Sequence, residues 1–372
     1  RQKLALLELT FKFANELIEK YKFEFAWFES ISGLLSYVLY TVFKFEGVKI
    51  CAIESGRFPD KLAVTDNKNL LWDGVEQEIG IVEKEGAESW EVEDAKKFLE
   101  QYRTNLPVPT KYEKKYLPRI RLSDFRKLKR WVHDYIKDSN SILIKSPFEL
   151  IFLKIRRILR SYFANKIFDN FVFDPKEKYV FFPLHFQPEA TTLVCAPYSL
   201  NQVSVIEDIS KSLPVGYKLI VKEHHDSIGR RRIADYKDIR SLWNVVLVGP
   251  KENSLNIIKK SKCIITITST VGLQALLLKI PVITLARVSY DASPSIIRGE
   301  HVAKQNYNSL IKQAIGHTIS EKDVINFCVA VQRKLSPQNN LILNHPMYAD
   351  QILHQNNIVK ISDVIYKAIQ SI

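Results

Sequence analysis

The first part of the chain alternates between helix-like and strand-like spacing of its apolar residues. Residues 1–20 have the spacing of an amphipathic helix, and nearly continuous apolar runs over 23–30 and 48–55 predict two strands. Between the strands, 32–47 has helical spacing and ends at Gly47. This strand–helix–strand order predicts two parallel strands joined by a right-handed crossover.

The second part repeats the alternation with shorter and more apolar strands. The run CIITIT, mostly β-branched, is typical of a strand that is buried on both faces. Strands that alternate with helices at this spacing predict a doubly wound parallel sheet. The predicted strands cover residues 178–184, 217–223, 244–249, 263–268 and 281–286.

A charged, mainly helical stretch over 75–140 and a long helix over 147–167 separate the two parts. In the long helix, apolar residues share one face and basic residues fall largely on the other. The apolar stripe is expected to face the core, and the basic face is a candidate contact with an anionic membrane. The apolar residues are Phe148, Ile151, Phe152, Ile155, Ile158, Leu159 and Phe163, and the basic ones are Lys154, Arg156, Arg157 and Arg160.

These elements predict an α/β protein in which two Rossmann-like domains face each other across a cleft. The first domain, 1–170, would include the basic helical insertion, and the second would span 171–345. A C-terminal helix over 346–372 would pack back on the first domain. The chain of 372 residues, 46% of them hydrophobic, is long enough to build two cores.

Charge and cysteine usage narrow the class of protein. The net charge of +13 suits nucleic acid, an anionic membrane surface or an anionic substrate, and it is concentrated in residues 111–160. No nucleic-acid-binding module is recognisable, and no run of about 18 uncharged apolar residues predicts a membrane span. The four cysteines lack the spacing of metal ligands and predict reduced thiols in a cytoplasmic protein.

Polar residues follow four consecutive strands of the second part, where open α/β sheets bind ligands. Hydroxyl groups at a helix start favour an anion, and the chain lacks the glycine motifs of dinucleotide and P-loop sites. A phosphate or nucleotide site is therefore expected, without a metal ion, because no Asp-x-Asp motif follows a strand. The residues are His185, Gln187, Glu189, Lys222, His224, Asp226, Arg230, Arg231, Ser254, Ser269, Thr270 and Gly272.

The segments FFPLHFQPEATT, VKEHH and LVGPKENSLNIIKKSKCIITITSTVGLQALLLKIPVI resemble the bacterial capsule-polysaccharide synthesis family. Within it, the chain is most similar to the retaining β-Kdo glycosyltransferases that use CMP-β-Kdo in capsule and O-antigen (lipopolysaccharide) assembly. The resemblance covers 178–290, is weaker over 23–70, and is not seen over 75–165. It implies a GT-B-like fold, a nucleotide-sugar donor and a saccharide acceptor.

The resemblance also implies residue roles. His224 stands where the family binds the donor phosphate, and Ser269 and Thr270 stand in its hydroxyl motif for CMP. The sequence departs from the family at His225, where the family has proline, and at Gln274, where glutamate is frequent.

Transfer of Kdo breaks the bond to the CMP phosphate, whose negative charge needs cationic groups and N–H donors. His224, Lys222 and Arg230 or Arg231 are candidates for this role, with Ser254 as a further donor-binding residue. Retention requires a carboxylate nucleophile. Glu189 is the first candidate, with a solvated loop carboxylate as its alternative, and Asp226 is the second, with a turn or cap residue as its alternative.

The acceptor side is less defined. His185, Gln187, Glu54 and Arg57 are candidate substrate contacts. Glu54 and Arg57 would face the cleft on the acceptor side, and they could equally form a structural ion pair. The acceptor is expected to be lipid-linked, at the inner face of the cytoplasmic membrane, and the chain could be one module of a larger glycosyltransferase. Three alternatives remain: an inverting, sialyltransferase-like enzyme, a CDP-glycerol glycerophosphotransferase, and a nucleic-acid-binding protein without catalysis.

Overall fold

The computed structural model describes residues 2–28, 31–55, 58, 61–69, 71–104, 118, 120, 122–138, 145–300, 306–337, 362 and 366. The predicted C-terminal helix over 346–372 lies outside these residues except at two isolated positions. The helices are α1 (Gln2–Lys20), α2 (Leu34–Phe45), α3 (Val75–Glu85), α4 (Ser89–Thr104), α5 (Leu122–Lys137), α6 (Pro147–Ile167), α7 (Ala190–Leu193), α8 (Gln202–Ser212), α9 (Ile233–Ser241), α10 (Ser254–Lys260), α11 (Val271–Leu277), α12 (Tyr307–Gly316) and α13 (Glu321–Lys334). The strands are β1 (Phe25–Phe28), β2 (Lys49–Ser55), β3 (Lys61–Thr65), β4 (Lys178–Pro183), β5 (Tyr217–Lys222), β6 (Val245–Val248), β7 (Cys263–Thr266), β8 (Val282–Thr284), β9 (Ile296–Arg298) and β10 (Ser336–Pro337).

Among the described residues, six strands form the larger sheet, in the order β6-β5-β4-β7-β8-β9, and each neighbouring pair is parallel. Its central strands are almost wholly buried; all four residues of β7 are inaccessible to solvent or nearly so. Helices cover both faces, which explains why these strands are continuously apolar rather than alternating. The predicted doubly wound α/β sheet is confirmed.

The smaller sheet has the order β1-β2-β3-β10. β1 and β2 pair in parallel around α2, as the strand–helix–strand pattern predicts. β3 and β10 add to this pair in antiparallel fashion, so the first Rossmann-like unit carries a mixed sheet. The last strand, β10, comes from the end of the second part of the chain.

Helices α3 and α4 connect the two parts. They pack against α13, and their apolar residues belong to the same core as residues of β4, β8 and α11. Arg333 of α13 donates hydrogen bonds to Glu78 of α3 (3.0 Å) and to both carboxylate oxygens of Glu91 of α4 (2.6 Å each). The domain limits at 170 and 345 remain a prediction.

Helix α6 forms over the predicted residues, with Pro147 in its first turn and the Ser146 hydroxyl accepting the Glu149 N–H. The orientation of its apolar stripe differs from the prediction. Phe148 and Phe152 are 85% and 61% exposed, and the residues that α6 buries are the small Ser161 and Ala164. Small residues let α6 approach its neighbour α9 closely, and this close packing decides which face turns inward. No helix within the described ranges has both the length and the apolar character needed to cross a bilayer.

Candidate functional site

The polar residues that follow the strands of the second part lie at one edge of the larger sheet, because these strands are parallel and end on the same side. From β4 the chain winds through β5 and β6 on one side, and then returns to β7 on the other side of β4. The crevice where the winding reverses is where open α/β sheets bind ligands. The loops after β4, β5 and β7 open at this crevice and carry most of the predicted site residues.

His185 is buried beneath the crevice, where it links the three loops. Its Nε2 accepts the Thr268 N–H (3.0 Å) from the loop after β7, and its carbonyl accepts an N–H of Arg231 (3.2 Å) from the loop after β5. Burial, together with the nearby His224 and Arg231, lowers the pKa of His185 to about 3. A neutral imidazole that is 5% exposed holds the loops together, whereas the sequence suggested a substrate contact.

Glu223 organises the loop after β5, and sequence reasoning assigned it no role. This fully buried carboxylate accepts the His224 N–H (2.6 Å), the Arg231 Nε–H (2.9 Å) and the Tyr236 hydroxyl (2.6 Å). Burial, and then the charge of Glu223, raises the pKa of Tyr236 and keeps its hydroxyl a donor. A charged residue directly after a buried strand was the signal that could have indicated this network.

The two arginines proposed for phosphate binding have different surroundings. Arg231 pairs with Glu223 in the interior, its side chain 9% exposed, so Glu223 already neutralises its charge. Arg230 is exposed, and its guanidinium lies 5.1 Å from the centre of the Phe186 ring. Of this pair, Arg230 is the one that a solvent-borne phosphate can reach.

His224 caps the short 3₁₀ turn His225–Ser227, because its Nδ1 accepts the Asp226 N–H (3.2 Å). The ring is half-buried and stacks on His225 with centroids 4.2 Å apart. Burial, and also the neighbouring His225, lowers the pKa of His224 to about 4. The imidazole is therefore neutral near pH 7, and it carries its proton on Nε2, where it can donate to an anion.

Lys222 supplies a positive charge next to His224. Burial lowers the pKa of its amine to about 8, although the carboxylates of Glu223 and Glu252 oppose the shift. Its Nζ donates one long hydrogen bond, to the Glu223 carbonyl (3.5 Å). The amine is still mainly protonated at pH 7, with donor capacity left for a ligand.

The start of α11 is closed by local bonds. The Ser269 hydroxyl accepts the Val271 N–H (3.2 Å), which is the first N–H of this short helix, and the N-cap residue Thr270 makes no side-chain cap bond. The Tyr290 hydroxyl donates to the Ser269 carbonyl (2.6 Å). A Cβ at Gly272 would lie 2.2 Å from that hydroxyl, so the packing of Tyr290, rather than a ligand, explains the glycine.

Both candidate nucleophiles lie in loops at the crevice and are exposed. Glu189 precedes α7, and its Oε2 accepts the Thr191 hydroxyl (3.1 Å). Asp226 is 64% exposed, and its carboxylate is 3.1 Å from His225 Nε2. Candidate ligand atoms of His224, His225 and Asp226 lie within 4.8 Å of one another, close enough to share a cation.

The remaining candidates are spread around the crevice. Gln187 donates from Nε2 to the Leu200 carbonyl (3.0 Å), and Gln274 is half-buried in α11. Ser254 is the first residue of α10, whose cap is the preceding Asn253. Glu54 lies in β2 opposite Ala63, and Arg57 falls outside the described residues.

Solved structures that are similar to this chain at low identity include the following three. The first is Thermosulfurimonas dismutans KpsC, beta Kdo 2,7 transferase: the sequences are 12% identical, the alignment covers 86% of this chain and 89% of that chain, and the TM-score is 0.41. The second is Thermosulfurimonas dismutans KpsC, beta Kdo 2,4 transferase: the identity is 12%, the alignment covers 82% of this chain and 86% of that chain, and the TM-score is 0.40. The third is S. aureus MnaA in a co-structure with UDP (13%, 93% and 80%, TM-score 0.33). No curated protein sequence matches the chain.

The sequence model of the family described as "Capsule polysaccharide biosynthesis protein" matches residues 86–309. The match includes α4, α5 and α6, where the sequence showed no visible resemblance, so the basic helices belong to the region that the family shares. It also spans the larger sheet from β4 to β9. Because the match covers more than half of its length, the chain belongs to the family of capsule polysaccharide biosynthesis proteins.

Proposed function

We propose that this protein is a glycosyltransferase that moves Kdo from CMP-β-Kdo to a saccharide acceptor in surface polysaccharide biosynthesis. One observation carries the proposal. A neutral N–H donor, His224, and a protonated amine, Lys222, lie at the carboxyl end of β5, the strand beside the one at which the sheet reverses its winding. Such a pair suits the phosphate of a nucleotide sugar, and family membership supplies the polysaccharide context.

The proposed chemistry follows from the charge that develops during transfer. The bond between the anomeric carbon of Kdo and the phosphate oxygen breaks, and its electron pair leaves with CMP. His224 Nε2–H and Lys222 Nζ stabilise the departing phosphate, with Arg230 at the entrance. In the retaining mechanism, Glu189 or, as second choice, Asp226 attacks the anomeric carbon. An acceptor hydroxyl then displaces this carboxylate and loses its proton to solvent.

The nucleotide and acceptor sites are proposed on either side of this phosphate position. Ser269, Thr270 and Gln274 follow β7 in the chain, Ser254 follows β6, and all four are proposed to contact CMP. The acceptor, proposed to be lipid-linked at the inner face of the cytoplasmic membrane, would approach from the smaller sheet. Arg231 and His185 are proposed as positioning residues, because their polar atoms are bound to neighbouring loops.

Calorimetry with CMP and turnover with CMP-β-Kdo test the proposal together. We expect His224→Ala to weaken CMP binding about tenfold, a loss typical of one hydrogen bond to a charged group. Glu189→Gln is expected to keep CMP affinity and lose turnover. Arg232→Gln is the matched control, since Arg232 is exposed and bonded to Asp235 of α9.

Unchanged CMP affinity in His224→Ala would contradict the phosphate site, and normal turnover in Glu189→Gln would leave Asp226 as the candidate nucleophile. Product analysis with CDP-glycerol, and the anomeric configuration of the Kdo product, separate the proposed reaction from the phosphotransferase and inverting alternatives.

Transfer is proposed to need no metal ion, so turnover should survive EDTA. Loss of activity that a divalent cation restores would instead assign a metal to His224, His225 and Asp226.

A further inference from the structure

Helices α5 and α6 pack on each other and present a continuous apolar surface to solvent. Phe125 is 62% exposed, Ile136 76% and Phe148 85%. Between the helices lies a cleft of about 340 Å³, lined mainly by apolar side chains such as Leu128, Trp131 and Ile155. Exposed patches of this kind indicate a surface that contacts a partner or a membrane. We call it the α5–α6 surface.

The charge of the α5–α6 surface identifies what it fits. Apart from Arg157 and Arg160, which bond to a loop on the other side of α6, the two helices carry eight Lys or Arg residues and three Asp or Glu residues. Lys154 pairs with Asp124 (3.1 Å) and Lys145 with Glu149 (2.7 Å), which leaves most of the positive charge unbalanced. Aromatic side chains among basic ones suit an anionic bilayer, which accepts both. A second copy would bring two basic surfaces together.

The opposite side of α6 holds the loop that carries His224. Arg157 donates from its guanidinium to the carbonyls of Asp226 (3.2 Å) and Ile228 (3.3 Å), and Arg160 donates to the carbonyl of Arg230 (3.2 Å). Gly229, with φ of +75°, lies so close to α6 that a Cβ there would be 2.1 Å from the Arg157 carbonyl oxygen. Helix α6 therefore forms part of the α5–α6 surface on one side and contacts the loop over residues 224–231, which carries His224, on the other.

We propose that the α5–α6 surface docks on an anionic bilayer and that α6 couples this docking to the order of the loop over residues 224–231. The inference deepens the proposed function and rests on it for the ligand of the loop. Docking stabilises α6, which in turn fixes the carbonyls that Arg157 and Arg160 hold. Because coupling between two sites is reciprocal, a ligand at His224 also strengthens bilayer binding.

Co-sedimentation with phosphatidylcholine vesicles, with and without phosphatidylglycerol, tests the docking. We expect the wild type to bind only the anionic vesicles and to dissociate at high salt. Phe148→Ser combined with Phe152→Ser should weaken binding roughly tenfold or more, since two aromatic side chains lose their apolar contact. The control is Trp243→Ser, which removes an aromatic side chain that is 88% exposed and lies outside the surface.

Absence of vesicle binding by the wild type would overturn docking, and a doubled mass in sedimentation equilibrium would assign the surface to a second copy.

Hydrogen exchange then tests the coupling without any nucleotide, so it is independent of the proposed donor. Exchange of the Ser227 and Arg230 amides, which bond to the His224 and Ser227 carbonyls, should slow severalfold on anionic vesicles. Arg157→Lys should bind vesicles normally without this slowing. Equal exchange in the wild type with and without vesicles would refute the coupling.

Discussion

At the scale of single residues, burial decides which charged groups of the site can meet a ligand. Arg230 and Arg231 are adjacent in sequence, yet Glu223 engages one and leaves the other in solvent. The residue types and their position after β5 could be predicted, because parallel strands end at a common edge. Which arginine turns inward could not, since that depends on Tyr236 and Glu223 meeting across the loop.

Lys222 gives the site a predicted pH dependence. With a pKa of about 8, the free amine is charged below that pH and neutral above it. If only the protonated amine binds the CMP phosphate, affinity should fall roughly tenfold between pH 7 and pH 9. Calorimetric titrations across this range measure the change.

Lys222→Arg is the matched variant for this titration, because arginine keeps its charge throughout the range. Its CMP affinity is expected to stay flat between pH 7 and pH 9. A parallel decline in both proteins would mean that another group controls the pH dependence.

At the scale of elements, the periodicity of the apolar residues located the helices and strands well. It was less successful at showing which face of an element turns towards the core. The predicted strand over 263–268 is β7, and the predicted helix over 147–167 is α6 in full. The apolar stripe of α6 faces solvent, and this orientation could not be predicted. The hydrophobic pattern alone does not show that α6 packs against α9 through its small residues. Likewise, Gly272 of α11 suggested close approach of a ligand. The structure shows instead that Tyr290, 18 residues further along the chain, leaves no room for a larger residue at this position.

Gly272→Ala should therefore destabilise the protein through overpacking at the start of α11. The new methyl group would meet the buried Tyr290 hydroxyl, at a cost of about 1–3 kcal/mol in the free energy of unfolding. Urea denaturation measures it. In a Tyr290→Phe background the cost should shrink only in part, because the ring carbons also lie within 3 Å of the Cβ position.

Gly80→Ala provides the comparison. Gly80 lies inside α3, and a Cβ there meets nothing within 4 Å. Alanine is the better helix former, so a gain of up to about 1 kcal/mol is expected. Equal effects of the two substitutions would show that Tyr290 does not constrain position 272.

At the scale of the whole molecule, contacts distant in sequence join the two sheets. α13 follows the larger sheet in sequence but packs on α3 and α4, and β10 extends the smaller sheet beside β3. The doubly wound sheet could be predicted because its contacts follow chain order. The return of α13 could not be predicted, since no local pattern states which distant helix will receive it.

Arg333 should contribute measurably to this junction. Arg333→Met leaves the Glu78 and Glu91 carboxylates without their shared donor, and we expect a loss of about 2 kcal/mol at pH 7. Hydrogen bonds from Arg333 hold the pKa of Glu91 below its ordinary value of 4.5. The stabilisation is thus present above pH 4.5 and is lost as pH falls through the lowered pKa, so the two proteins should converge in acid.

Denaturation curves of both proteins at pH 7 and in acid test this expectation. Arg232→Met serves as the control, because the Arg232 side chain is 74% exposed in its pair with Asp235 and should contribute little. A difference between wild type and Arg333→Met that persists unchanged in acid would show that packing, rather than the ion pairs, holds the junction.

The position of β10 has a consequence for synthesis on the ribosome. β3 pairs with residues 336–337, so the smaller sheet cannot be completed until the ribosome has translated every strand of the larger one. During elongation the nascent chain carries β1, β2 and β3 with an open edge, which is a template for pairing with other chains. The N-terminal part therefore stays partly assembled until β10, the last strand among the described residues, has been translated, and a chaperone that shields β3 would act in that interval.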